Sequence, residues 1–270
     1  MLRGTFSIVS RGDEISTHIN NDLEKFLLDK GLKNDEIKPD YVFVIGGDGT
    51  VLSAFGKYVD IINDVKFLSI HTGHLGFYTD YQVKDYENIF EDMLTKEPKL
   101  ESYPLLEVEA YCLNGNVLSK SYALNEITLN NAEGKTYKSE VYIDGRHFEN
   151  FRGDGICIST PTGSTAYNKS LGGAVIHPGI EVYQVAEIAG LNNLLYRSLG
   201  NSMILSKEEK LTIRPMDQGN NHRLSIDQLY YSYDSLSKIE VSISKERRVN
   251  FIRYNEVSFW DRVKRSFIGE

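Results

Sequence analysis

Tyr41-Val42-Phe43-Val44-Ile45-Gly46-Gly47-Asp48-Gly49-Thr50 is the stretch from which the fold can be read. Its first five residues are apolar and mostly β-branched or aromatic, which fits a strand buried on both faces of a parallel sheet. Gly46, Gly47 and Gly49 then allow backbone approaches that a Cβ would forbid, so the turn can set peptide N–H groups against a ligand. Thr50 is a suitable N-cap for a helix carrying Val51, Leu52, Ala54 and Phe55, and the start of that helix offers a positive dipole end to phosphate. Asp48 is the one charged side chain in the turn. A carboxylate repels phosphate, so in a phosphate-cradling loop Asp48 serves a metal, a hydroxyl or a proton; in a plain loop it is a turn-former.

Around this turn the chain alternates β and α. Thr5-Phe6-Ser7-Ile8-Val9 reads as a strand, and Ile15, Ile19, Leu23, Phe26 and Leu27 recur at helical spacing until Gly31. Val65 to Ile70 reads as the third strand, which implies a doubly wound parallel sheet with ligands gathered beyond its carboxyl ends. There His71-Thr72-Gly73-His74-Leu75-Gly76-Phe77 is either a second pocket wall or a loop with two solvated histidines. The spacing of Val83, Tyr86, Ile89, Phe90 and Met93 predicts a helix over 82–96, and Glu97-Pro98-Lys99 marks a boundary.

Beyond it, runs at 105–113, 117–129, 140–143, 155–159, 210–213, 223–233 and 239–244 read as strands, with hairpin signals at Asn114-Gly115 and Asp144-Gly145. Val257, Trp260, Val263 and Phe267 predict a terminal helix. The expected architecture is an α/β domain over 1–98 with a doubly wound sheet and a β-rich, sandwich-like domain over 99–250. The segment 251–270 is expected to pack its helix back on the first domain.

With 41% hydrophobic and 25% charged residues the composition is that of a globular chain. Thirty basic against 38 acidic residues, a net charge of −8, argue against nucleic-acid or anionic-membrane partners. No apolar run approaches the roughly 20 residues that span a bilayer and no signal-peptide pattern opens the chain, so a cytoplasmic protein is expected. Cys112 and Cys157 read as buried free thiols.

Three stretches in the second half carry chemistry. Asn125-Glu126 interrupts an apolar run, and a strand would point its two polar side chains to opposite faces, which implies a ligand or a salt bridge for at least one. Arg152-Gly153-Asp154-Gly155 is a tight charged turn, with or without a function. Thr160-Pro161-Thr162-Gly163-Ser164-Thr165-Ala166-Tyr167 gathers four hydroxyl residues around a glycine and can present hydroxyls and N–H groups to phosphate or ribose. Walker A is absent, because Gly134-Lys135-Thr136 has Leu129 where the upstream glycine belongs. Gly-x-Gly-x-x-Gly after a strand, Gly-x-Ser-x-Gly and His-Glu-x-x-His are absent too.

Together Gly46 to Thr50, His71 to Phe77, Asn125-Glu126, Arg152 to Gly155, Thr160 to Tyr167 and Ser225-Ile226-Asp227 resemble the bacterial NAD kinases, in the family's order. Gly-Gly-Asp-Gly alone also occurs in diacylglycerol and sphingosine kinases and in phosphofructokinases; the set is specific. The resemblance implies the reaction NAD + ATP → NADP + ADP, a divalent cation such as Mg²⁺ held through the ATP phosphates, and a homo-oligomer, usually a tetramer. It implies that Asp48 is the catalytic aspartate beside a phosphate loop of Gly46, Gly47, Gly49 and Thr50, and that Phe77 flanks the adenine. Asn125, Glu126, Thr165, Ala166, Tyr167 and Ser170 correspond to residues on the adenosine part, with Asn168 and Lys169 in the same segment. Arg152, Asp154, Ala189 and Asp227 correspond to the pyrophosphate and nicotinamide side. Gln228 departs from the Gly or His usual after that aspartate, and His71 stands before a Thr-Gly where Asn is common. A lipid kinase of the same superfamily would need an acyl pocket or a basic membrane-facing patch.

Overall fold

The computed structural model describes residues 3–73, 76–79, 81–83, 86–217, 221–254 and 257–269. The chain divides into two compact units, Met1–Tyr103 with Arg247–Glu270, and Pro104–Glu246.

The first unit opens with β1 (Thr5–Ser10), α1 (Glu14–Asp29), β2 (Lys33–Asn34), β3 (Tyr41–Ile45), α2 (Asp48–Tyr58) and β4 (Lys66–His71). Asp13 caps α1 by accepting the Ser16 N–H at 2.8 Å. The strands β2, β1, β3 and β4 lie side by side in that order, all parallel. Winding reverses between β1 and β3, so their carboxyl ends border a crevice, and the Gly-Gly-Asp-Gly turn leaves β3 there. Strand alternation puts Phe43 and Ile45 in one core cluster with Ile19, Leu23 and Leu27 of α1. On the opposite face lies Ser7, register partner of Val42, which accepts the hydroxyl of Tyr58 from α2 at 2.7 Å.

The helix expected over 82–96 is shorter. Tyr81–Gln82 forms β5, which pairs with the end of β4, and α3 spans Asn88–Thr95. The Tyr81 hydroxyl donates to the buried Asp92 at 2.7 Å and so ties β5 to α3. Lys84 and Asp85 lie outside the described residues.

The second unit contains β6 (Lys99–Cys112), β7 (Val117–Ala123), β8 (Glu126–Asn131), β9 (Tyr137–Ile143), β10 (Arg146–Gly153) and β11 (Gly155–Ser159). A 3₁₀ turn, Thr162–Thr165, and the short α4, Tyr167–Ser170, follow. Then come β12 (Val182–Ile188), β13 (Met203–Ser206), β14 (Leu211–Pro215), β15 (His222–Ile226), β16 (Leu229–Tyr233) and β17 (Leu236–Arg253). One six-stranded sheet runs β13-β12-β11-β8-β15-β16, and β10, β9, β14, β17, β6 and β7 are joined in a second. Ile127, Leu129, Ile156, Ile158 and Leu224 of the first meet Val108, Tyr137, Val141, Ile213 and Ile239 of the second in one core, a β-sandwich.

Two sequence runs resolve differently from the reading above. The run 117–129 is two strands in two sheets, broken at Leu124 and Asn125. The run 223–233 is a hairpin whose tip, Asp227-Gln228, holds Asp227 at φ 49°. Cys157 is buried and Cys112 half-buried, both free thiols.

The terminal helix, α5 (Phe259–Phe267), is capped by Ser258, whose Oγ accepts the Trp260 N–H at 3.3 Å. It belongs to the first unit, where the end of β17 also pairs with β4 through Asn250 and Phe251. Tyr58→Phe should lower the unfolding free energy by about 1–3 kcal/mol, because it removes a buried donor from Ser7; urea unfolding measures it, and an unchanged midpoint would contradict this account.

Candidate functional site

In the first unit the candidate site is built on Asp48. Helix α2 begins at Asp48 with Gly47 as its N-cap residue, and no side chain caps it, so Thr50 is not the cap. Thr50 falls in the first turn, where its N–H and that of Val51 reach the Gly47 carbonyl at 2.9 and 3.2 Å. Its hydroxyl lies against Gly46: a Cβ there would come within 2.2 Å of Thr50 Oγ1, which explains the glycine. Asp48 itself sits in the first turn, where the helix dipole favours a carboxylate.

The two glycine-rich stretches of this unit meet at that carboxylate. Phe77 N–H donates to Asp48 Oδ2 at 2.9 Å and Tyr78 N–H to Oδ1 at 3.1 Å. A Cβ on Gly76 would lie 2.2 Å from Oδ1 and 2.6 Å from Cγ, so only glycine lets the second loop close on Asp48. Phe77 is half-buried, its ring 5.7 Å from Phe267 and 6.2 Å from Phe259. His71 is buried at the end of β4; His74 and Leu75 lie outside the described residues.

In the second unit Asp227 gathers the other candidates. Its carboxylate accepts the N–H groups of Leu124 and Asn125 at 2.8 Å each and of Glu126 at 3.1 Å, while its own N–H reaches the Glu126 carbonyl at 3.0 Å. This capture breaks the run at Leu124-Asn125; it engages the backbone N–H groups and leaves the ligand expected for the Asn125-Glu126 side chains as a proposal. Glu126 thus enters β8 beside a second carboxylate. Burial pushes the Glu126 carboxyl up to about 7, Asp227 adds to the rise, and the Tyr167 N–H offsets part of it. Burial also raises Asp227 to about 6, against the three N–H donors.

The hydroxyl-rich turn packs on the same strand break, with its hydroxyls turned inward rather than toward a ligand. Thr160 and Thr162 donate to the Leu124 carbonyl at 2.6 and 3.0 Å, Ser164 to that of Pro161 at 2.6 Å and Thr165 to that of Thr162 at 3.1 Å. Gly163 lies so close to Asn125 that a Cβ would meet its carbonyl oxygen at 2.0 Å. Buried hydroxyls need acceptors, and these carbonyls supply them. The turn therefore offers Ala166, Tyr167, Lys169 and Ser170 on its open side, and buries Asn168.

Arg152, Asp154 and Ala189 come together where β10 and β11 meet the end of β12: Asp154 N–H donates to the Ile188 carbonyl at 2.8 Å, Leu191 N–H to that of Arg152 at 2.7 Å. The Arg152 guanidinium lies 4.0 Å from the Tyr196 ring centroid. Ala189 holds a left-handed φ of 47°, a strained backbone position of the kind that clusters at binding sites. Burial raises the Tyr167 hydroxyl above its usual range, and the Asp154 and Glu126 carboxylates add to the rise. Burial holds the Cys157 thiol well above its usual range, so it stays protonated.

Among the described residues no three His, Cys, Asp or Glu side chains converge as metal ligands. The reading of the sequence missed Gly76 as the partner of Asp48, and missed Arg253 and Arg262, whose contacts follow below; neither arginine lies in a motif.

A family model described as the ATP-NAD kinase N-terminal domain matches residues 8–97, and one described as the ATP-NAD kinase C-terminal domain matches residues 124–254. A protein named NAD kinase 1 from Oceanobacillus iheyensis is 43% identical over 265 residues, 98% of this chain and 98% of that one. The yeast NADH kinase complexed with NADH superposes with a TM-score of 0.82 at 19% identity, covering 99% of this chain and 88% of that one. An NAD kinase from Archaeoglobus fulgidus in complex with ATP gives 0.71 at 22% identity, covering 99% and 98%. At such identities the two structures establish the fold.

The carboxyl pair has a consequence for pH. Both folded values lie above the ordinary 4.5 of Glu126 and 3.8 of Asp227, so the fold favours the protonated forms. The stability they contribute is complete below those ordinary values and is lost as pH rises through about 6 and about 7. Glu126→Gln, which mimics the protonated acid, should flatten the fall in melting temperature between about pH 4.5 and pH 7; a variant whose melting profile runs parallel to wild type would refute the assignment.

Proposed function

The chain belongs to the NAD kinase family and phosphorylates NAD to NADP, and from that premise we propose that Asp48 is the base that takes the proton of the accepting 2′-hydroxyl on the adenosine ribose. The observation that carries the reading is the setting of Asp48: a carboxylate at a helix start, behind a glycine turn at the switch point of a parallel sheet, held by two backbone N–H groups. Each oxygen so engaged keeps lone-pair capacity for a hydroxyl. Phosphoryl transfer passes through a loose transition state, so the protein's share is to align the hydroxyl with the γ-phosphate and to stabilise charge. The loop of Gly46, Gly47, Gly49 and Thr50 lies along the phosphates, with the Gly46 and Thr50 N–H groups already given to the Ile70 and Gly47 carbonyls, and Phe77 serves the adenine.

ATP is the donor in this reading, and Mg²⁺ carried on its phosphates supplies charge neutralisation when bound. Asn125, Glu126, Ala166, Tyr167, Lys169 and Ser170 form the adenosine side of the NAD site, with the buried Thr165 and Asn168 shaping the turn behind them, and Arg152, Asp154, Ala189 and Asp227 form the pyrophosphate and nicotinamide side. Glu126, poised near neutrality, can accept from or donate to a ribose hydroxyl. Gly49 stands with Asp48 at the acceptor. Among the described residues no helix is long and apolar enough to cross a membrane. In this reading, which follows the family resemblance, the protein acts in the cytoplasm.

Purified protein with ATP, Mg²⁺ and NAD should make NADP, and Asp48→Asn should lower kcat by roughly 10²–10⁴-fold with little change in NAD affinity. A variant with near wild-type kcat would end the base role, and phosphorylation of diacylglycerol without NADP would move the chain to the lipid kinases.

Self-association, as a homotetramer, is part of the same reading. Asn193 Oδ1 accepts the N–H groups of Leu195 and Tyr196 at 2.9 Å each and so shapes a turn that displays Leu194 at 92% and Leu195 at 84% exposure. A formed turn presenting adjacent leucines suits burial against a second copy. Light scattering should give a mass of several times 30.7 kDa, and Leu194→Asp with Leu195→Asp should lower it; a stable wild-type monomer would contradict the assembly.

A further inference from the structure

We propose that Arg262 is a positioning residue for the Asp48 carboxylate and acts on it through a single peptide group. The inference rests on the reading of Asp48 as the base. Arg262 lies on α5, far from every motif in the sequence, and is only 4% exposed. Its Nη1 donates to the Gly76 carbonyl at 3.1 Å and also to the carbonyl of Thr79. The Gly76 carbonyl and the Phe77 N–H belong to one peptide unit. That unit is planar and trans, so its oxygen and its hydrogen point in opposite directions. Arg262 holds one end of the plane while Asp48 Oδ2 accepts from the other at 2.9 Å.

The arrangement is a row of guanidinium, peptide and carboxylate. A cation on the carbonyl polarises the amide, which strengthens its N–H as a donor to the carboxylate. The neighbouring peptides are tied down in the same way. Arg253, 5% exposed, donates from Nη1 to the Tyr78 carbonyl at 3.3 Å and from Nε to Glu101 at 3.2 Å. Gly76 N–H donates to Thr79 Oγ1 at 3.1 Å, and the Tyr78 ring stacks on Phe251 at 5.6 Å.

Burying a guanidinium is costly unless it is fully hydrogen-bonded, and packing alone would favour an apolar side chain at such a place. What the buried arginine adds is a fixed pair of donors that sets the 76–79 turn. The same helix touches the turn from its side chains as well, since Phe259 and Phe267 bracket Phe77. The C-terminal helix therefore bears on both the Phe77 amide, which orients the base, and the Phe77 ring.

The test compares Arg262→Ala, Arg262→Lys, Asp48→Asn and the Arg262→Ala/Asp48→Asn double variant, each in the full chain. Misplacing a catalytic group costs up to about 100-fold, so Arg262→Ala should lower kcat by about 10- to 100-fold with NAD affinity held. Added guanidinium ion should restore part of that loss. In the Asp48→Asn background the same change should cost nothing further. Arg262→Lys, which keeps the charge but offers a point donor in place of a fork, should lower kcat as well, and it carries the test alone if Arg262→Ala fails to fold. Full kcat in the arginine variants beside a crippled Asp48→Asn would overturn the positioning role alone. Near wild-type kcat in Asp48→Asn would remove the base role, and this inference with it.

Discussion

Asp48 spends its carboxylate on the amides of Phe77 and Tyr78, and the first unit's site takes its form from that contact. A carboxylate bonded to two N–H groups is fixed in position and orientation, which a catalytic base requires and a solvated side chain lacks. The glycines on either side follow from it. Gly46 makes room for Thr50 in the first turn of α2, and Gly76 lets the second loop lie against the carboxylate.

Asp227 does for the second unit what Asp48 does for the first. By taking three consecutive N–H groups it turns the chain from one sheet of the sandwich into the other and brings Glu126 in beside it. The hydroxyls of Thr160 and Thr162 then satisfy the carbonyl that this turn strands, that of Leu124. Both sites thus rest on acid side chains that bond the backbone, an economical device, because one carboxylate offers several acceptor positions and the N–H groups it takes would otherwise need partners of their own. At Asp227 the cost is desolvation: burial makes both carboxyls resist ionisation, and Asp227 adds to the rise at Glu126.

The end of the chain supplies what the middle lacks. Residues 76–79 form an irregular turn, and the guanidinium groups of Arg253 and Arg262 donate to its carbonyls. A loop held only by its ends would sample many arrangements; one held by buried guanidinium groups keeps the amides of Phe77 and Tyr78 on Asp48.

Much of this protein was determined by local sequence alone. The apolar run from Tyr41 to Ile45 followed by glycines, the helical spacing in α1, and the Asn114-Gly115 and Asp144-Gly145 hairpins are short-range patterns, and each forms the element it predicts. The family could likewise be read from its motifs, because chemistry demands particular residue types in order. Tertiary structure decided what those residues touch. That the hydroxyls of Thr160 and Thr162 face inward, that the run 117–129 breaks at Leu124, and that the loop carrying Phe77 seats Asp48 all depend on partners 29 to 103 residues away. Arg262 is the extreme case. Its chain position among Asp261, Lys264 and Arg265 reads as the polar face of an amphipathic helix, and only the fold, by covering that side chain and aiming it at the carbonyl of Gly76, separates it from the solvated charges around it.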